Sequence, residues 1–378
     1  MPANRADIAI VGAGILGLAH AFAAASRGLS VVVFERSPRA AGASVRNFGM
    51  IWPIGQPAGE MHHLALRSRE IWLDVVDRSR LPYRPTGSLH VTYRDDEAAV
   101  AREFAEIAPP LGYDCHWLAP DAVLSRSQAV RSTGLCGGLW SPLELTVDPR
   151  SILAKLPAFL AEQMNVEVRF GCAVRAICLP VVEAGGERWQ VDRAIICSGD
   201  DFATLYPELL RQCRLTRCKL QMMRTPAQPG GWQLGPSLAA GLTLRYYPAF
   251  RICSTLPKLQ QRIAAELPDY DGWGIHLLVS QTEQGELTLG DSHEYGLEVD
   301  IFDKAGIDDL ILRYARSFLE APTLDIAQRW HGVYATHPEK PFVSIDAAPG
   351  VHIVTATGGS GMTLSFGLAE QTIKEMEN

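Results

Sequence analysis

At 378 residues the chain exceeds the roughly 100 to 200 of a typical domain and suggests two, and with 47% hydrophobic against 20% charged residues it can fill sizeable cores. Its 35 Lys and Arg against 42 Asp and Glu leave a formal net charge of −7; with no long basic run, nucleic acid and anionic membrane surfaces are excluded as expected partners. No stretch reaches the roughly 18 consecutive apolar residues of a membrane span, so a soluble globular protein is expected.

The first element is IAIVGAGILGLAHAFAAASRGLSVVVFER, from Ile8. A secretion signal needs a basic start, an unbroken apolar centre and a small-residue cleavage site, and three glycines interrupt this run instead. Gly12, Gly14 and Gly17 form G-x-G-x-x-G between the β-branched-rich Ile8 to Val11 and the helix-favouring Leu18 to Ala25. A second apolar run, Val31 to Phe34, then ends at Glu35. Gly12 permits a tight turn, Gly14 lets the backbone approach a pyrophosphate, Gly17 lets helix and strand pack closely, and Glu35 accepts hydrogen bonds from an adenosine ribose. The helix N-terminus adds unpaired N–H groups and a positive dipole end, so an anionic dinucleotide fits without a lysine.

Beyond a turn at Ser37-Pro38-Arg39, the segment AGASVRNFGMIWPIGQPAGE is too rich in Gly and Pro for a long regular element, yet its Arg46, Asn47 and Trp52 are not those of an idle linker. His62 to Arg78 repeats at helical spacing, TGSLHVTY from Thr86 reads as a strand, and EAAVAREFAEI is a helix closed by Pro109-Pro110. Asp148 is placed as a helix cap with Pro149 in the first turn. NVEVRFGCAVRAICL follows as a strand pair or a strand and bend, and RWQVDRAIICSGD as a buried strand ending on Ser198-Gly199. From Lys219 to Gly290, KLQMMRT, LTLRYYP, GIHLLVSQ and GELTLGD alternate as strands of an antiparallel sheet. The chain closes with a helix, DDLILRYARSFL, and then the strand, glycine turn and helix of VHIVTATGGSGMTLSFGLAEQTIKEM. Gly358, Gly359 and Gly361 in that turn offer a second set of backbone N–H groups at a helix start.

The fold class expected is α/β: a Rossmann-like FAD-binding domain (1–80, 141–210 and 325–378) with an inserted antiparallel-sheet substrate domain (81–140 and 211–324). The eight cysteines include no C-x-x-C and no zinc spacing, so free thiols, a reducing cytoplasmic location and no metal are expected.

The ordered set of motifs resembles the flavoprotein amine oxidoreductases of the D-amino-acid oxidase, glycine oxidase and sarcosine oxidase family over nearly the whole chain. The resemblance rests on Gly12-x-Gly14-x-x-Gly17 with Glu35, GASVRNFGM from Gly42, DRAIICSGD from Asp192, RWHGVY from Arg329, and TGGSGMTLS from Thr357. It implies FAD contacts at those glycines and at Ile15, Glu35, Arg36, Ser44, Val45, Asn47, Gly49, Met50, Val174, Ser198, Gly199, Gly332, Gly358, Gly359, Gly361, Met362 and Thr363. Such enzymes pass a hydride from the carbon beside a neutral amine to the flavin, and water hydrolyses the imine. Gly332 stands where sarcosine oxidase tethers its flavin to cysteine, implying FAD held non-covalently. Thr288 stands at the place of that enzyme's oxygen-assisting lysine, leaving molecular oxygen or another acceptor open.

Tyr334 replaces the family's carboxylate-binding arginine, and RNFGMIWPIGQP most resembles a bacterial branch associated with phosphonate metabolism. Together they imply a small amine as partner, an aminophosphonate or its N-methyl derivative favoured over a glycine- or sarcosine-like amino acid. His276 aligns with a pocket tyrosine of glycine oxidase. With Arg46, Tyr334 and Arg329 it forms the set of catalytic or substrate-binding candidates, each weighed against a core histidine or a solvated arginine. Arg224, Arg245, Tyr246 and Tyr247 are further candidates on the sheet. An NAD-dependent dehydrogenase would leave the C-terminal glycine turn unexplained; a flavoprotein subunit passing electrons to a partner stays open, without a cysteine cluster for an iron–sulfur centre.

Overall fold

The computed structural model describes residues 4–377, and two sheets organise them. The first has eight strands, and its parallel centre is built on Arg5–Val11, whose buried Ile8, Ala9 and Ile10 cannot face water on either side. That strand pairs in parallel with Val31–Glu35 and with Glu187–Ile196, aligning Val11 with Phe34 and with Ile196. Glu167–Phe170 extends the sheet beyond the one, and Val351–Thr355 beyond the other. Helices Ile15–Ala25, Pro149–Met164 and Gly361–Glu377 bury one apolar cluster with Glu60–Ser79. Strand, helix and strand repeat here as in a dinucleotide-binding domain, the Rossmann-like arrangement expected.

The second sheet has nine strands, ordered from Glu294–Gly296 through Thr216–Ala227, Glu286–Gly290, Leu278–Gln281, Ser237–Ala240, Ser88–Thr92 and Gly137–Ser141 to His116–Leu118. All its pairings are antiparallel except that of Ser237–Ala240 with Ser88–Thr92. Gln328–Thr336, from the stretch expected in the cofactor domain, pairs along Thr216–Arg224 of this sheet.

Local chemistry accounts for several boundaries. Asp148 accepts the Arg150 N–H at 3.0 Å, so the helix begins at Pro149. Glu167–Phe170 and Val174–Cys178 do not pair with each other: the first joins Val31–Glu35, the second Val181–Ala184. Between them the Cys172 N–H reaches the Glu35 carbonyl at 2.8 Å, and that bend brings Val174 beside Glu35.

One strand of the expected set is corrected. LTLRYYP is not a strand; Gly241–Leu244 is a short helix and Arg245, Tyr246 and Tyr247 follow in a turn. A side chain at Gly241 would overlap the Glu97 carboxyl, so glycine permits the close pass that turns the chain. Buried partners then satisfy the helix: the Leu242 N–H donates to the Tyr314 hydroxyl at 3.0 Å, and the Thr243 hydroxyl to the Leu277 carbonyl at 3.0 Å. Helices Leu256–Glu266 and Pro268–Gly272 also interrupt the run read as sheet alone.

Candidate active site

A cavity of about 1770 Å³ runs between the two sheets. At one end, Gly12 turns with φ of +103°, a conformation open to glycine, and any side chain there would overlap the Cys197 carbonyl. Gly14 begins the helix with no side-chain cap, and a Cβ on it would meet only the Ser44 side chain, at 3.0 Å. Glu35 sits at the end of its strand, accepting the Ala13 N–H at 2.9 Å and the Ser37 N–H at 2.9 Å. Ser44 accepts the Ile15 N–H at 3.0 Å. The Asn47 amide fastens the same loop through the Ala43 and Ser44 carbonyls and the Gly49 N–H.

Gly12, Gly14, Ile15, Glu35, Ser44 and Asn47 line the cavity together with Arg36, Met50, Val174, Ser198 and Gly199. Arg36 is held at the rim by Asp201, 2.8 Å away. The C-terminal turn forms the opposite wall: Gly358, Gly359, Gly361, Met362 and Thr363 all line it. Thr363 ties that wall to the glycine- and proline-rich segment around Trp52 by accepting the Trp52 N–H at 2.9 Å.

Four expected cofactor residues do not reach the cavity wall. Gly17 lies behind the turn, where a Cβ would overlap the Gly12 carbonyl, which is the packing task glycine was assigned there. Val45 packs into the helical layer. Gly49, at φ of +74°, is pressed against the Val147 carbonyl. Gly332 is pressed against Leu220 and the Arg46 carbonyl, with no side chain to offer a flavin.

The far end is built of side chains. Strands Leu278–Gln281 and Glu286–Gly290 pair with Leu278 opposite Gly290, and the Asp291 N–H donates to the His276 carbonyl at 3.0 Å. His276, Asp291 and His293 are therefore brought together, all buried, with one nitrogen or oxygen of each within 4.8 Å of the others. His276 Nε2 lies 3.3 Å from Asp291 Oδ1, and His293 Nε2 3.9 Å from Asp291 Oδ2. The Tyr246 ring packs on both imidazoles, with centroids 3.9 and 4.5 Å away.

Burial disfavours every charge here. It raises the Asp291 carboxyl well above the usual carboxylate range, lowers His293 to about 4, and holds His276 well below the ordinary imidazole value, aided by His293 and Arg245. It also raises Tyr246 and Tyr334 well above the ordinary phenol. The Tyr334 hydroxyl lies 3.6 Å from the point a Cβ on Gly359 would occupy, which joins this end to the glycine turn.

Of the substrate candidates, His276, Tyr334 and Arg46 line the cavity. Arg46 donates to the His331 carbonyl at 3.1 Å. Arg329 is turned away, paired with Asp308 at 3.0 Å with its side chain 54% exposed. Arg224 is buried in the sheet, where its Nε donates to the Thr288 hydroxyl at 3.3 Å; neither residue lines the cavity. Arg245 does line it, held by the Tyr270 and Ile275 carbonyls. Sequence reading missed Asp291 and His293 altogether. SHEY carries no motif, and only the strand register brings it to His276.

A cradle of backbone N–H groups at two helix starts, a carboxylate at the end of the second strand and a cavity long enough to join them define a dinucleotide-binding protein. The family model described as DAO, FAD dependent oxidoreductase, matches residues 7–374, and the chain belongs to that family. Glycine oxidase from Geobacillus kaustophilus superposes with a TM-score of 0.77 at 18% identity, over 99% of this chain and 94% of that one. L-alpha-glycerophosphate oxidase from Mycoplasma pneumoniae, with FAD bound, gives 0.75 at 16% identity, over 99% and 95%. Iminodiacetate oxidase from Chelativorans sp. gives 0.69 at 17% identity, over 97% and 95%. The bifunctional protein ThiO/ThiG of Nostoc sp. is 29% identical over 180 residues, 45% of this chain and 26% of that protein, so the match spans about a quarter of that relative's length. The protein is an FAD-dependent oxidoreductase with non-covalent FAD, and a cradle that carries no Cβ at Gly12 or Gly14 fits that cofactor.

Proposed function

We propose that the protein oxidises a small amine carrying an anionic group, giving an imine that water hydrolyses to a carbonyl product. The observation carrying this reading is the far end of the cavity, where a buried carboxyl group, two imidazoles that burial keeps neutral, and tyrosines stand beside the C-terminal glycine turn. FAD, when bound, supplies the hydride acceptor. The chain's own residues orient the C–H bond and keep the amine nitrogen unprotonated. Arg46 and Arg245 are the candidates for the anionic group, since both line the cavity and guanidinium suits carboxylate or phosphonate equally.

Likeness to glycine oxidases and to an iminodiacetate oxidase favours a glycine- or sarcosine-like amino acid. An aminophosphonate is the second reading, supported by Tyr334 where the resemblance leads one to expect a carboxylate-binding arginine. In this proposal the strands around Gly12 and the C-terminal turn serve FAD, the nine-stranded sheet serves the substrate, and molecular oxygen takes the electrons. Anaerobic mixing with amino acids, N-methyl amines and aminophosphonates tests it: an amine of one class bleaches the oxidised flavin spectrum within the mixing time, and failure of all three removes the proposal. Re-oxidation by air alone then supports oxygen.

A further inference from the structure

The trio at the far end consists largely of acceptors facing one another. His293 Nδ1 lies 2.9 Å from the Gly274 carbonyl, so Nδ1 carries the hydrogen and Nε2 turns a lone pair towards Asp291. Asp291 Oδ1 is buried without a hydrogen-bond donor; His276 Nε2, though near, is not aligned with it. His276 Nδ1 is also buried without a partner. Leaving such groups unmet costs free energy, so the arrangement is complete only when something bearing donors or positive charge enters. The other groups facing the trio do not fill that role: Tyr246, Tyr247, Tyr295 and Tyr334 line the same end, and Arg245 is turned to Asp271 at 3.5 Å and to two carbonyls.

Resting on the amine-oxidation reading, we infer that Asp291, flanked by His276 and His293, is the subsite for the substrate's ammonium group and the acceptor of its proton. An ammonium brings up to three N–H donors to three acceptor-bearing side chains, and its positive charge favours the ionised Asp291 that burial alone disfavours. One N–H bond then breaks, its proton forms an O–H bond on Asp291, and the electron pair stays on nitrogen as the neutral amine that hydride loss requires. The step is a proton transfer and needs no oxidant. Burial that raises the Asp291 carboxyl makes it the better base for this purpose.

The test uses holoenzyme with propylammonium and with its neutral isostere propanol, read by perturbation of the bound flavin's visible spectrum. Asp291→Asn keeps the shape and removes the charge; it should weaken propylammonium binding about 30-fold or more, the lower end for losing one partner of a buried charge pair, and leave propanol unchanged. With an oxidisable amine, limiting flavin reduction in the wild type should persist well below the free amine's own pKa, and in Asp291→Asn should follow that pKa. Equal propylammonium affinity in the two proteins overturns the inference. So does a stoichiometric divalent metal that dialysed wild type holds and Asp291→Asn loses. If Asp291→Asn does not retain FAD, His293→Gln replaces it, with a loss of about 10-fold expected for one neutral acceptor and unchanged binding overturning the assignment. Failure of every amine to bleach the flavin while propylammonium still discriminates removes the oxidation reading and spares the subsite.

Discussion

The two ends of the cavity solve opposite problems. Around Gly12 and Gly14, the proposed cofactor end, the wall is backbone, and what matters is the absence of side chains: a Cβ at Gly12 or Gly17 would collide with neighbouring main chain. Around His276 and Asp291, the proposed substrate end, the wall is made of side chains that flank two paired strands and are brought together by their register. A site made of absences tolerates almost nothing added, whereas a site made of side chains grades its response to what is removed.

The sharpest way to break this comparison is to add one methyl group. Gly12→Ala must adopt a φ strained for alanine and collide with the Cys197 carbonyl, costing upwards of about 1 to 3 kcal/mol for backbone strain alone. It should leave almost no flavin on the purified protein and lower its melting temperature. Gly14→Val tests pyrophosphate approach rather than the turn: a folded chain without FAD is expected, and normal flavin content would overturn the assignment of this cradle. In both assays acid precipitation of the wild type should send all its flavin to the supernatant.

Arg46→Ala comes next, with a loss of about 2 to 5 kcal/mol in substrate interaction, the range for one member of a buried charge pair, while flavin content stays normal. Arg46→Lys should recover only part, for lack of the two-pronged contact. Unchanged anaerobic reduction kinetics in Arg46→Ala would hand the anionic group to Arg245. Glu35→Gln is expected to be milder, about 1.5 to 3 kcal/mol in FAD affinity measured by apoprotein titration, because charge-assisted acceptance weakens and one of its two N–H partners loses its oxygen. Smallest is Arg329→Ala. An ion pair with so exposed an arginine contributes about 0 to 1 kcal/mol, so a modest change in denaturation midpoint and unaltered flavin reduction are expected.

The same contrast decides what the sequence reveals. The cofactor end is a run of neighbours, so G-x-G-x-x-G, the acid closing the next strand, and the Asp148 cap with Pro149 can each be recognised from adjacent residues. LTLRYYP misleads because alternation alone does not record that Gly241 passes against Glu97. Arg329 misleads for a related reason: the RWHGVY motif does not record that Asp308, on a separate helix, takes its guanidinium. Asp291 and His293 leave no local trace, because their meeting with His276 is a property of two strands and their alignment.

The tie from the Trp52 N–H to Thr363 spans 311 residues, and Arg5–Val11 waits for Glu187–Ile196, which in turn waits for Val351–Thr355 beside it. During synthesis the glycine turn that begins the chain's first helix is therefore made long before the wall that faces it. Contacts of such long range are slow to form, and the dinucleotide, which needs both walls, stabilises only the finished enclosure. Flavin thus acts on the assembled fold, where both walls are present, rather than on the growing chain.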